Sequence, residues 1–144
     1  MKKLIYRITT IYPSARSFHF SLLLFRIAVS TELMTAHGLK KIGVGVQEAE
    51  HIPNPLLLPK ALNQYFAIAA NLFFPVFIIL GLFTRVAVLP ILAVTLSGYF
   101  VLHWHDSLLE KDMPVIYSLV YLFLFIIGPG KYSLDDFINK GMHL

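Results

Sequence analysis

The stretch Phe18–His37 constrains this chain more than any other. It is long enough to cross a bilayer, because about 20 apolar residues rising roughly 1.5 Å each span the hydrocarbon core. Yet Arg26 and Glu32 lie within it and His37 closes it. Ionisable side chains are costly to hold in lipid, so in a spanning helix they turn toward a bundle interior or a water-filled cavity. Such a helix implies other helices packed around it.

Composition points the same way. Of 144 residues, 57% are hydrophobic and 14% charged, with a mean hydropathy of +0.70. Soluble domains carry about 25% charged residues, so the chain reads as a membrane protein. Its apolar runs are nearly contiguous and leave room for one unit, residues 1–144. The net charge of +4 comes from basic residues near the ends of apolar runs. There they act as topology signals and headgroup contacts, so nucleic acid is not an expected partner. The absence of cysteine excludes disulfides and thiolate chemistry carried by this chain. Lys2 and Lys3 could open a signal peptide, but Arg7, Pro13 and Arg16 break the first apolar run, and a retained first helix is expected.

The chain in order predicts an all-α fold, an antiparallel four-helix transmembrane bundle with short interfacial terminal segments. Residues 1–17 are basic and amphipathic, suiting an anionic membrane surface or a partly ordered tail. The spans fall at about 18–37, 65–83, 86–102 and 113–127. Gly38 is expected to end the first, with Lys40 and Lys41 at the interface. Prolines 53, 55 and 59 mark a polar connection, Pro75 predicts a kink in the second span, and Thr84-Arg85 form a tight turn to the third. Gly128-Pro129-Gly130 stops the fourth, and Ser133–Asp136 opens a short terminal helix in the manner of a capping box. With the N-terminus inside, Lys2, Lys3, Arg7, Arg16, Arg85, Lys131 and Lys140 lie on the inner side, against Lys40, Lys41, Lys60 and Lys111 outside. That asymmetry favours two cytoplasmic termini in a bacterial-type inner membrane.

Three motifs give a more specific reading. Arg26 followed by His37-Gly38-Leu39-Lys40-Lys41, then Leu80-Gly81-Leu82-Phe83-Thr84-Arg85, then Gly128-Pro129-Gly130-Lys131-Tyr132-Ser133-Leu134-Asp135, appear in an order that resembles the DoxX family of small four-helix membrane proteins. Lys131 stands where that family often has arginine, and Asn71 replaces an acidic residue common in the second span. The resemblance implies a membrane subunit linked to quinone-coupled sulfur oxidation or to thiol and oxidative-stress defence. A redox-enzyme partner and a quinone cofactor are therefore expectations drawn from it.

Depth counting adds a site hypothesis from the residues themselves. At about 1.5 Å per residue, Arg26 lies roughly 12 Å above the inner boundary and Glu32 roughly 21 Å. Counting along the other spans brings Asn71, Tyr99, Tyr117 and Tyr121 to the level of Glu32. Glu32, Asn71, Tyr99 and one of the two tyrosines are expected to converge. They would form either a ligand site or simply hydrogen bonds that hold the bundle. Arg26 either snorkels to headgroups or meets Thr95 and Ser97. His37, His103 and His105 could share a metal at the outer surface. The spacing is weak evidence, since Trp104 and its flanking histidines equally describe an interfacial belt, and no metal is assigned.

No catalytic residue stands out, so the chain is read as an accessory subunit that binds a quinone or lipid between its helices. If it takes part in catalysis, it does so within a quinone-linked oxidoreductase complex. The ligand-site candidates are Arg26, Glu32, His37, Asn71, Tyr99, His103, Tyr117 and Tyr121. Two other readings compete: a small-solute transporter or channel using Glu32, and a purely structural partner. A homo-oligomer is expected of so small a bundle.

Overall fold

A computed structural model describes residues 14–107 and 109–142. All regular structure among them is helical. Three helices are long and apolar enough to cross a membrane: α1 (Ala15–Lys41), α2 (Lys60–Leu80) and α3 (Thr84–Leu102). A shorter apolar helix, α4 (Asp112–Ile127), and an amphipathic one, α5 (Leu134–Met142), follow.

The distribution of side chains is that of an object surrounded by oil. Only 28% of each long helix's most apolar window is buried. Leu24, Phe73, Val86, Leu89, Leu119 and Ile126 stand exposed, while the fully buried set includes Arg26, Ser30 and Thr84. A lipid solvent asks for this arrangement, because apolar surface costs nothing outside and polar groups must find partners inside. The core itself is Leu22, Leu33, Ile78, Ala87, Val88, Ile91, Tyr117, Tyr121 and Leu124.

Helices α1, α2 and α3 each widen into a single π turn: Met34–Gly38, Ala69–Phe73 and Gly98–Leu102. A π turn holds one residue more than an α turn and is a frequent mark of functional regions. Here each carries a residue picked out by its polarity: His37, Asn71 and Tyr99. In α2 the π turn ends two residues before Pro75, which has no N–H to give to Asn71 four residues back.

Gly38 does not end α1. It is helical and buried, and the helix runs on to Lys41. A Cβ at Gly38 would sit 2.5 Å from Leu72 Cδ2 and 2.6 Å from the Asn71 carbonyl, so glycine is needed for close approach rather than for termination. The chain leaves the helix at Gly43, whose φ of +78° is left-handed. Helix α2 likewise stops early, at Gly81 with φ +68°, and Phe83 adopts φ +46° before α3 begins. Beyond α1, Lys41 pairs with Glu50 at 3.3 Å, and Asn54 braces its loop through both Leu58 backbone groups.

The end of the molecule holding α5 is tied together by the quoted motifs. Arg26 Nη1 donates to the Ile78 carbonyl at 3.0 Å and Nη2 to the Tyr132 carbonyl at 2.6 Å. Asp135 accepts from the amides of Phe83 at 2.7 Å and Thr84 at 3.1 Å, while its own N–H reaches the Gly81 carbonyl at 2.9 Å. It thereby supplies the acceptor that α3 lacks at its start and steadies the left-handed Phe83. Arg85 caps the other direction, donating from Nε to the Phe125 carbonyl at 3.1 Å near the end of α4. Ser133 accepts from the Asp136 amide at 3.2 Å, the first half of a capping box, whereas Asp136 turns instead to Lys140.

Candidate functional site

The seam between α1 and α4 gathers the polar groups with the most chemical scope. Tyr117, buried on α4, donates its phenol to Glu32 Oε2 on the exposed flank of α1. The His37 ring meets the Tyr117 ring edge-on, centroids 5.2 Å apart and planes at 89°. Tyr121, one turn along α4, stacks on Tyr117 at 6.5 Å and 21°. The hydroxyls of Tyr121 and Ser30 lie side by side, both fully buried.

Further along the same seam, a groove of about 310 Å³ is lined by Phe18, Ser21, Leu22, Phe25 and Phe123. Phe25 and Phe123 meet edge-on across it at 6.1 Å. The seam thus has a polar end, at Glu32, His37 and Tyr117, and an apolar trough. Such an amphiphilic strip matches a molecule with a polar head and a long apolar tail.

The other expected members lie elsewhere. Asn71 is buried, but its π turn faces Gly38 at the α1–α2 contact. Tyr99 does not join Glu32. Its ring packs on Phe100 at 4.8 Å and lies 5.7 Å from the Lys111 ammonium, which also sits 5.8 Å from the Trp104 ring. The cause is visible on α4, where neighbouring residues point about 100° apart. Tyr117 faces α1, while Ser118 faces α3, bonding Thr95 at 2.9 Å. Tyr99 follows the Ser118 side, with Gly98 against Pro114.

Arg26 neither snorkels nor meets Thr95 and Ser97. Its partners are the two carbonyls already described, and Ser97 bonds within its own helix to Val94. Carbonyl partners leave no trace in a sequence, which is why side-chain matching by depth missed them. The three-imidazole arrangement is also not formed. His37 packs on Tyr117, and His103 Nδ1 pairs with Asp106 at 2.6 Å. Among the described residues no group of three or more His, Asp or Glu side chains could hold a metal ion.

Comparison with known proteins bears on the same residues. A curated relative from Haemophilus influenzae (strain ATCC 51907 / DSM 11121 / KW20 / Rd), described as "Uncharacterized protein", is 30% identical over 128 residues, covering 83% of this chain and 84% of its own. No solved structure matches. The DoxX family model matches residues 21–104, a span that includes Arg26, Glu32, His37, Gly81 and Arg85. The Gly128–Asp135 loop lies outside that match, yet it closes on Arg26 and Gly81 within it. The chain belongs to the DoxX family.

Proposed function

We propose that this DoxX protein is an accessory subunit of a membrane redox system and binds a quinone, or a lipid of similar build, along the α1–α4 seam. In this reading the chain is an antiparallel four-helix transmembrane bundle in a bacterial-type inner membrane, with both termini cytoplasmic. The observation that carries the proposal is the Glu32–Tyr117–His37 cluster on the same α1–α4 seam as an apolar trough. A quinone carbonyl needs a hydrogen-bond donor, which the His37 ring can supply, or the Tyr117 hydroxyl once its proton turns from Glu32 to the ligand, and Glu32 can take or return a proton. The isoprenoid tail would lie along Phe18, Phe25 and Phe123.

A seam ligand is favoured over a central pore by the filling of the bundle axis. Leu33, Ile78, Val88, Ile91 and Leu124 are all at most 2% exposed there. The test is the quinone content of an organic extract from protein purified in mild detergent. Near-stoichiometric quinone in the wild type, lost in Glu32→Ala and Tyr117→Phe proteins that still fold, supports the proposal. No quinone in the wild type, or equal content in all three, overturns it.

A further inference from the structure

A second cavity, about 420 Å³, lies between α5 and the start of α3, far from the Glu32 cluster. Its walls include Phe83, Thr84, Arg85, Val86, Ile138 and Asn139. Two carboxylates also border it, but both are engaged. Asp135 is bound to the Phe83 and Thr84 amides, and Asp136 pairs with Lys140. Arg85 is the cation of the wall. Its Nε is held by the Phe125 carbonyl, and its two terminal NH₂ groups have no acceptor among the described residues. Gly128 keeps the space beside that guanidinium open, for a Cβ there would come within 3.2 Å of Nη2. The Thr84 hydroxyl, buried and without a partner, belongs to the same wall.

The apolar part of the wall is continuous with the lipid-facing surface. Phe83 is 62% and Val86 63% exposed, and Leu89, one turn beyond Val86 on α3, is 51% exposed. The opposite side is α5, whose Leu134, Phe137 and Ile138 make it an amphipathic segment suited to the headgroup boundary. One cation aimed into a recess, with an acyl-chain track leading away from it, describes a seat for a phospholipid. We infer that the cavity beneath α5 binds an anionic phospholipid, its phosphate on the terminal nitrogens of Arg85 and one acyl chain along Phe83 and Val86. Arginine is suited to phosphate because its forked donors match two oxygens at once.

The test is native mass spectrometry of the full chain from a mild neutral detergent, with phosphatidylglycerol and phosphatidylcholine added at equal mole fraction. The wild type should retain phosphatidylglycerol with a preference of roughly tenfold or more, because phosphatidylcholine offers Arg85 the same phosphate but sets a fixed choline cation beside the guanidinium. Arg85→Gln should abolish the preference. Because that change also releases the Phe125 carbonyl and can loosen α4, Val86→Trp serves as a second variant. It keeps Arg85 intact and blocks the acyl track from an exposed position, and it too should remove the preference. Arg16→Gln, losing a cation outside the cavity, should keep it, and excess inorganic phosphate should not displace the lipid. Equal retention of the two lipids by the wild type, a preference surviving in folded Val86→Trp, a preference lost in Arg16→Gln, or displacement by phosphate would each overturn the assignment.

Discussion

The guanidinium of Arg26 reaches 106 residues along the chain to the carbonyl of Tyr132, at 2.6 Å. The same side chain holds the Ile78 carbonyl near the end of α2, so one buried cation joins three separated segments. Removing it leaves two carbonyls in an apolar interior without a donor. Arg26→Leu is expected to cost about 3 kcal/mol of stability, the scale for losing buried charge-assisted hydrogen bonds. Trp104 fluorescence during unfolding in detergent reads this directly, and a change below about 0.5 kcal/mol would refute the clasp.

Two glycines with the same backbone sign make a matched pair. Gly81 and Gly45 have φ of +68° and +77°, but only Gly81 is crowded. A Cβ at Gly81 would stand 2.2 Å from Arg26 Nη1 and 2.5 Å from Ser133 Cβ, whereas Gly45 has nothing within 4 Å. Gly45→Ala should therefore cost about 1 kcal/mol, the conformational penalty alone. Gly81→Ala should cost at least about 2 kcal/mol more and displace the Gly128–Ser133 loop, visible as faster proteolysis there.

Gly38 gives a prediction opposite in sign to helix propensity. Alanine is the better helix former by about 1 kcal/mol, so at an uncrowded helical position Gly→Ala stabilises. Here the added methyl would strike Leu72 and the Asn71 carbonyl. Gly38→Ala is expected to destabilise by about 1–3 kcal/mol, the cost of overpacking. A rise in the unfolding midpoint would mean that α1 and α2 do not approach so closely.

Asp135 tests the joint between the last loop and α3. Asp135→Asn keeps the size but weakens acceptance from the Phe83 and Thr84 amides, and Asp135→Ala removes it. Losses of about 0.5 and 1–2 kcal/mol respectively are expected, the range for helix caps. Equal stability of both variants and the wild type in thermal unfolding would contradict the cap.

The existence of the helices was legible because hydrophobicity is additive along the chain. Their ends and rotations were not. A depth count assumes 1.5 Å and 100° per residue throughout, and π turns at Met34–Gly38, Ala69–Phe73 and Gly98–Leu102 break that assumption in three helices. The partnership of Glu32 with Tyr117 was found by level alone, since α1 and α4 carry no π turn between their starts and those residues. Tyr99 packs elsewhere because level does not say which side of α4 a residue meets. Arg26 and Asp135 stand in the motifs, but their roles are played toward backbone atoms that every residue type possesses.

The seam site is tested most directly by native mass spectrometry with a short-chain ubiquinone analogue added to the wild type, Glu32→Gln and Tyr117→Phe. The wild type should show one quinone per chain, and the apparent affinity should fall at least about tenfold in Tyr117→Phe, as loss of one buried hydrogen-bond donor requires. Arg85→Gln, at the other cavity, should leave quinone binding unchanged. A wild type that takes up no quinone, or a Tyr117→Phe protein that binds it equally well, would contradict the account.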